Sequence, residues 1–239
     1  SIEAFSSVHP DVEIGDGTWI GSNVTICPGA RIGKNCRIFP GAVISAIPQD
    51  LKFSGESSLV EIGDNTTIRE FVTINRGTAD KQTTKIGENC LLMAYVHIAH
   101  DCLIQNRVII ANSVQVAGHV TIDDWAFVGG SSAIHQFVKI GMHSMISGGS
   151  LVRKDVPPFT KAAREPLSYA GVNSLGLRRR GFESKTISEI QEVYLFLNSW
   201  NNSRALEEIE INLPATKERD EIVNFIRSSE RGVMKGYIQ

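Results

Sequence analysis

The chain has 239 residues, enough for one large domain or a large and a small one. Its make-up, 42% hydrophobic and 21% charged with a formal net charge of -2, is that of an ordinary soluble protein and argues against broad electrostatic binding of nucleic acid. No apolar run approaches the ~18–20 residues that a membrane span needs, and no signal peptide opens the chain.

From Ile14 onward an aliphatic residue recurs every sixth position: Ile20, Ile26, Ile32, Ile38 and Ile44. The series resumes at Ile62, Ile68 and Ile74. It then runs unbroken from Ile86 through Leu92, Ile98, Ile104, Ile110, Val116, Ile122, Val128, Ile134, Ile140 and Ile146 to Val152. Two residues before each stands a small or β-branched side chain, such as Val24, Ala30, Cys36, Cys90, Cys102 or Ala126. Turn formers follow it, as in Ile14-Gly-Asp-Gly and Ile62-Gly-Asp-Asn. Each hexad therefore reads as a short strand with two inward side chains and a turn; neither a helical period nor a hairpin alternation produces it. Three hexads make one triangular coil, and coils stack ~4.8 Å apart as parallel strands. The expected fold is all-β, a left-handed parallel β-helix of hexapeptide repeats over residues 1–156 with a small C-terminal α-helical domain over 157–239. The left-handed winding is an exception to the usual crossover rule.

The period pauses at residues 45–59 and 76–84, which are polar and are expected to leave the prism as loops. It ends at Val156-Pro-Pro. Beyond it Ile187, Ile190, Val193, Tyr194, Leu197 and Trp200 form one apolar helical stripe, with Ser184 as N-cap. Shorter helices are expected near 204–211 and 217–229, stopping by Gly232 and covering the open end of the prism. Cys27, Cys36, Cys90 and Cys102 form no CxxC pair, and three of them sit at the small inward position; free thiols in a reducing cytoplasm are expected.

Residues one full coil apart share an edge. His100 lies beneath Gly118, which lies beneath Gln136, and Asp101 lies beneath His119; His97 projects from the same hexad as His100. A histidine with a pKa near ~6.5 can take a hydroxyl proton, and a neighbouring carboxylate can fix its tautomer. A glycine amide at the turn can donate to an oxyanion, an interaction worth ~2.7–4 kcal/mol in acyl transfer. Base and oxyanion donor together make a minimal acyl-transfer site. One histidine at such a turn is ordinarily a solvated turn residue; His97, His100, His119 and His135 with Asp101 and Gln136 are more than that. Enough histidines are present for a zinc site of the γ-carbonic anhydrase kind, but nothing in the sequence requires a metal or a cofactor, and none is expected. The string Arg178-Arg179-Arg180 suits phosphate, or is a solvated helix end. Lys52, beside Gln49 and Asp50 in the first loop, is either a ligand charge or an ordinary surface lysine.

QDLKFSGE (49–56), VEIGDNTTIRE (60–70), LLMAYVHIAHDC (91–102), AGHVTIDD (117–124), AIHQF (133–137), DVPPF (155–159) and LRRRGF (177–182) together resemble the UDP-N-acetylglucosamine 3-O-acyltransferase family, which opens lipid A synthesis in Gram-negative bacteria. The resemblance spans nearly the whole chain. It implies a cytoplasmic homotrimer with sites between neighbouring β-helices. The donor would be a 3-hydroxyacyl group on acyl carrier protein and the acceptor the glucosamine 3-hydroxyl of UDP-N-acetylglucosamine. By match to the motifs, His100 would be the general base, Asp101 its partner and Gly118 the oxyanion donor. Asp50, Lys52, His97, His119 and Gln136 would position sugar and acyl groups, and Asn173, Arg179 and Arg180 would hold nucleotide phosphates or the carrier protein. Gly148 matches the position that gauges acyl length, and with no side chain there the groove would stay open to about fourteen carbons or more; Gly130 lies one coil below it, which fits a smooth groove. The chain departs from many members at Asn75, where histidine is common, and at Leu175, where an acidic residue is common, and its N-terminal stack is about one coil shorter than in some members. The later N-acyltransferase of the pathway carries an N-terminal uridine-binding domain, for which repeats beginning by residue 14 leave no room. A coenzyme-A acetyltransferase would lack QDLK and RRGF, and a scaffold would tolerate change in the histidine cluster.

Overall fold

The computed structural model describes residues 1–199 and 202–236. Among them the chain winds as a parallel β-helix of the expected left-handed kind. Three sheets of 8, 7 and 9 strands form the faces of a prism, and every third strand of the sequence is a neighbour in one sheet. The first sheet starts at Ser7–Val8, the second at Glu13–Ile14 and the third at Trp19–Ile20.

Register follows the hexad. His97 and Ile98 pair with Gln115 and Val116, and those with Ala133 and Ile134. The second residue of each two-residue strand in the prism points inward. Ile20, Ile38, Ile68, Leu92, Ile110, Val128 and Ile146 are all fully buried as one ladder of the third sheet. The small residue two before it lies at the corner, where Val24, Cys36, Val96, Val108 and Val120 are likewise buried. Burying a Val, Leu or Ile is worth ~1.5–3 kcal/mol, and no coil could bury these alone. Outward positions of the first four strands of the second sheet carry charges of alternating sign, with Arg31 3.2 Å from Glu13 and Lys85 3.5 Å from Glu61.

Both pauses are departures from the prism, but narrower than the sequence suggests. The strand Val43–Ala46 continues before the first, and Leu59–Ile62 and Thr83–Ile86 begin earlier than expected. Thr84 is fully buried beneath the second loop.

The third sheet crosses the expected boundary at residue 156. Thr160–Ala163 adds in parallel to Met145–Ile146, and Ser168–Val172 turns back antiparallel on it. Neither strand follows the hexad, so the period could not announce them. This hairpin and the four helices found among the described residues cover the end of the prism. The helices are α1 (Ser174–Arg179), α2 (Ser184–Ser199), α3 (Asn202–Asn212) and α4 (Lys217–Arg227). Ile187, Ile190, Val193 and Tyr194 are buried in a second core with Phe159, Leu177, Ile209 and Ile222, as the stripe predicts; Trp200 lies outside the described residues. Ser184 is the first residue of α2 rather than its cap, since the amide of Ile187 donates to the carbonyl of Glu183. No sequence pattern announces α1; Asn173 caps it by accepting from the amide of Gly176 at 3.3 Å. No helix among the described residues is long and apolar enough to cross a membrane. The four cysteines are free, and three of them are buried.

Candidate active site

Each coil turns three corners. At most of them the chain enters the left-handed region, and at the corner between the first and second sheets Asp101, His119 and Phe137 do so, with φ of 59°, 60° and 65°. That conformation turns consecutive side chains of one edge toward one another. His100 and His119 meet edge to face with centroids 5.1 Å apart, and His119 stacks on Phe137 at 4.6 Å. Gly118 packs directly on the His100 ring, where a Cβ would lie 2.7 Å from Cε1 and Nε2. The expected pairing of His100 with Gly118, and of Asp101 with His119, is therefore present.

His100 Nδ1 lies 2.8 Å from Asp101 Oδ2. A carboxylate only accepts, so the ring donates its Nδ1 proton and leaves a lone pair on Nε2. Nε2 has Asp50 Oδ2 at 3.9 Å, beyond hydrogen-bond range. Burial opposes ionisation of Asp101, but hydrogen bonds from Thr78 and His100 outweigh it and hold the carboxyl below its ordinary value. Burial lowers His119, against the pull of Asp101, whose Oδ2 is 3.7 Å from its Nε2. Burial also lowers His97, whose Nδ1 meets the Thr73 hydroxyl at 2.7 Å. Imidazoles kept neutral in this way are suited to accept protons near neutral pH.

Both loops come to this corner. The first brings Asp50 to His100, with Lys52 exposed on the same turn, its amide donating to Asp50 Oδ1 at 2.9 Å. The second brings Thr78, which bonds both oxygens of Asp101, and Asp80, whose Oδ2 lies 3.3 Å from His119 Nδ1 without forming a hydrogen bond. Asn75, at the root of the second loop, is buried; it donates to the carbonyl of Ile47 at 3.0 Å, and its Oδ1 has no hydrogen-bond partner among the described residues. Beside the corner a cleft of about 630 Å³ is lined by Asp101, His119, Phe137, Lys85, Lys139 and Arg231.

Not every expected residue joins this corner. Gln136 sits one coil above Gly118 and is half-buried, while His135 is exposed and its ring Nδ1 meets the carbonyl of Gln136 at 3.1 Å. Gly130 and Gly148 stack on the corner between the third and first sheets, where a Cβ on Gly148 would meet only the Gly130 carbonyl closely, at 3.1 Å. Asn173 and Arg180 gather at the remaining corner. Asn173 donates to the carbonyl of His143 at 2.9 Å, and Arg180 Nη1 lies 3.2 Å from His143 Nδ1. Trp125 stacks on His143, and the guanidinium carbons of Arg107 and Arg180 each lie 5.2 Å from the Trp125 centroid. Burial, with the charge of Arg180, pushes His143 down to about 4. Arg179 is exposed and Leu175 faces solvent. Sequence reasoning misses Thr78, Asp80, Phe137, Trp125 and His143. The first two lie in an expelled loop, and the last three are bulky residues at left-handed turns, which is the signal that could have found them.

His100, Asp101 and His119 offer donor atoms within 4.8 Å of one another and are the group among the described residues that could hold a metal ion. Both Asp101 oxygens already accept hydrogen bonds, which leaves an ion to compete with Thr78 and His100.

Residues 155–234 match the family model for domain 2 of UDP-N-acetylglucosamine O-acyltransferase, and residues 11–46 and 83–118 match the bacterial transferase hexapeptide model. The chain is 50% identical over 194 residues to the acyl-[acyl-carrier-protein]–UDP-N-acetylglucosamine O-acyltransferase of Sulfurihydrogenibium sp. strain YO3AOP1, covering 80% of this chain and 72% of that protein. It superposes on the crystal structure of a UDP-N-acetylglucosamine acyltransferase from Bacteroides fragilis 9343 with a TM-score of 0.92 and 46% identity, covering 98% of this chain and 100% of that one. The corresponding structure from Acinetobacter baumannii gives 0.93 and 38%, covering 98% and 99%. With one relative at half identity and solved structures matched end to end, the chain belongs to the UDP-N-acetylglucosamine O-acyltransferase family.

Proposed function

We propose that the protein transfers a 3-hydroxyacyl group from acyl carrier protein to the glucosamine 3-hydroxyl of UDP-N-acetylglucosamine, the first step of lipid A synthesis. The observation that carries the mechanism is the His100 ring, with Nδ1 tied to Asp101, Nε2 unblocked and Gly118 against its face. Nε2 takes the proton of the sugar hydroxyl as its oxygen attacks the thioester carbonyl. The tetrahedral oxyanion accepts the Gly118 amide, which among the described residues donates to no backbone carbonyl. Collapse breaks the carbon–sulfur bond, and the imidazolium returns the proton to the departing thiolate. No acyl-enzyme is formed. Asp50, Lys52, His97, His119 and Gln136 orient the reactants.

The remaining assigned residues lie on other corners of the same prism, which supports a homotrimer. In it Asn173, Arg179 and Arg180 of one copy hold the nucleotide or the carrier protein beside His100 of the next, and Gly130 and Gly148 line an acyl groove. Leu91, Ile109, Phe127 and Met145 form a half-buried apolar stripe on the outer third sheet, suited to such packing. Acyl transfer belongs to the β-helix of residues 1–156, and residues 157–239 cap it and supply the nucleotide contacts. The reaction is placed in the cytoplasm. The test is to incubate the protein with UDP-N-acetylglucosamine, its 3-amino analogue and a panel of 3-hydroxyacyl carrier proteins, and to weigh the products. Absence of an O-acylated sugar nucleotide refutes the assignment.

A further inference from the structure

The second expelled loop leaves the prism after Asn75 and returns at Thr83, and between them it buries one side chain, Thr78, at 8% exposure. Thr78 grips Asp101 twice. Its amide donates to Oδ1 at 2.9 Å and its hydroxyl to Oδ2 at 2.6 Å. The direction of the hydroxyl bond is fixed, since Asp101 accepts and the amide of Asp80 approaches the Thr78 oxygen at 3.4 Å. The Asp101 amide is held in turn, donating to Thr84 Oγ1 at 2.8 Å. Oδ2, the atom that Thr78 reaches, also receives His100 Nδ1 and faces His119 Nε2. The loop is itself braced, because the amide of Ala79 donates to Glu56 Oε1 at 3.0 Å in the segment that carries Asp50.

The torsion that aims a carboxylate is broad and costs little to turn. His100 pulls on one oxygen only, so it cannot fix that torsion alone. We propose that Thr78 is a positioning residue for acyl transfer, holding the Asp101 carboxylate in the one orientation that keeps the His100 proton on Nδ1 and its lone pair toward the acceptor hydroxyl. The inference rests on the reading of His100 as the base. Thr78 touches no reacting atom and acts through Asp101.

The test compares Thr78→Ala, Thr78→Val and Thr78→Ser by steady-state kinetics with UDP-N-acetylglucosamine and a 3-hydroxyacyl carrier protein. Alanine and valine are expected to lower kcat about tenfold or more with KM for the sugar nucleotide changed by less than about threefold, and serine to restore kcat to within about threefold. In an Asp101→Ala background Thr78→Ala is expected to cost less than about twofold more, because the group it positions is gone. The inference is overturned by a Thr78→Ala kcat within about twofold of wild type, by a loss equally large without Asp101, or by a serine variant no better than alanine. Should the alanine variant not fold, valine, which keeps the shape and removes the donor, decides in its place. His100→Ala, measured alongside, separates the two readings. If it retains turnover, the base assignment falls; if it is inactive while the Thr78 variants are normal, the positioning role alone falls.

Discussion

One edge of the prism, between the second and third sheets, is built in two styles. In the first coils Gly17, Asn35, Asn65 and Asn89 take the left-handed turn; at the same place in the later coils stand Arg107, Trp125, His143 and Phe159, with φ of 56°, 62°, 55° and 64°. The left-handed conformation costs a residue with a Cβ roughly 1–2 kcal/mol, glycine almost nothing and asparagine little. The early coils fill the turn with residues that adopt it readily. The later coils accept the cost, and their rings stack in return. The corner of His100 repeats the change, with Gly29 early and Asp101, His119 and Phe137 late. The period sets where the turn falls; what the turn must hold sets the residue in it.

If the late style serves chemistry, the largest effect lies at the His100 corner. His100→Ala is expected to lose ~10²–10⁴-fold or more in turnover with the melting temperature nearly unchanged. Near-normal turnover would reduce the corner to architecture. Gly118→Ala comes next. Its Cβ would enter the His100 ring at 2.7 Å, so the imidazole must move, and kcat is expected to fall ~10–100-fold. A crystal structure of the variant with His100 unmoved would contradict that cause.

A change of profile rather than rate is expected on the corner of Gly130 and Gly148. A Cβ at Gly148 would lie 3.1 Å from the Gly130 carbonyl oxygen, a tight contact that a shift of a few tenths of an ångström relieves, and Gly148→Met would project a side chain into the proposed acyl groove. Competition between short and long acyl carrier proteins should shift toward the shorter donor, and an unchanged product ratio rejects the ruler. At the aromatic corner the comparison becomes one of pH. Burial, with Arg180, pushes His143 down to about 4, whereas an unfolded histidine titrates near ~6.5. Between those values the unfolded chain binds a proton that the folded chain refuses, so stability is lost as pH falls through that window. Melting temperatures from pH 7 to pH 4.5 should fall for the wild type and less steeply for His143→Phe. Parallel curves would show that His143 contributes nothing to acid sensitivity.

The fold is legible because hexads repeat: Ile98 is inward for the same reason as Val116 one coil above, and spacing alone stacks Gly118 on His100. What breaks the repeat is not legible. Thr160–Ala163 extends the third sheet without a hexad, and α1 starts at a cap, Asn173, that also serves His143. The loop contacts of Thr78 and Asp50 span more than one coil, and no period reports where an expelled segment returns. In the string RRRG, Arg180 reads as a phosphate ligand; within one chain it is held against Trp125 and His143, a partnership set by how α1 docks rather than by the string.

The smallest expected effect tests the early style directly. Asn65 is exposed, and its turn has φ 58°. If asparagine is there only for the backbone, Asn65→Gly should be nearly neutral and Asn65→Ala should cost about 1 kcal/mol, both with wild-type turnover. Chemical denaturation resolves that difference at unchanged slope. Bringing the early style to a late coil should behave otherwise. Trp125→Asn relieves the turn but removes the ring that Arg107, Arg180 and His143 share, so relief and loss oppose each other. A net stabilisation at Trp125 with full activity would erase the distinction between the two styles, because the later residues would then carry a cost with nothing to offset it.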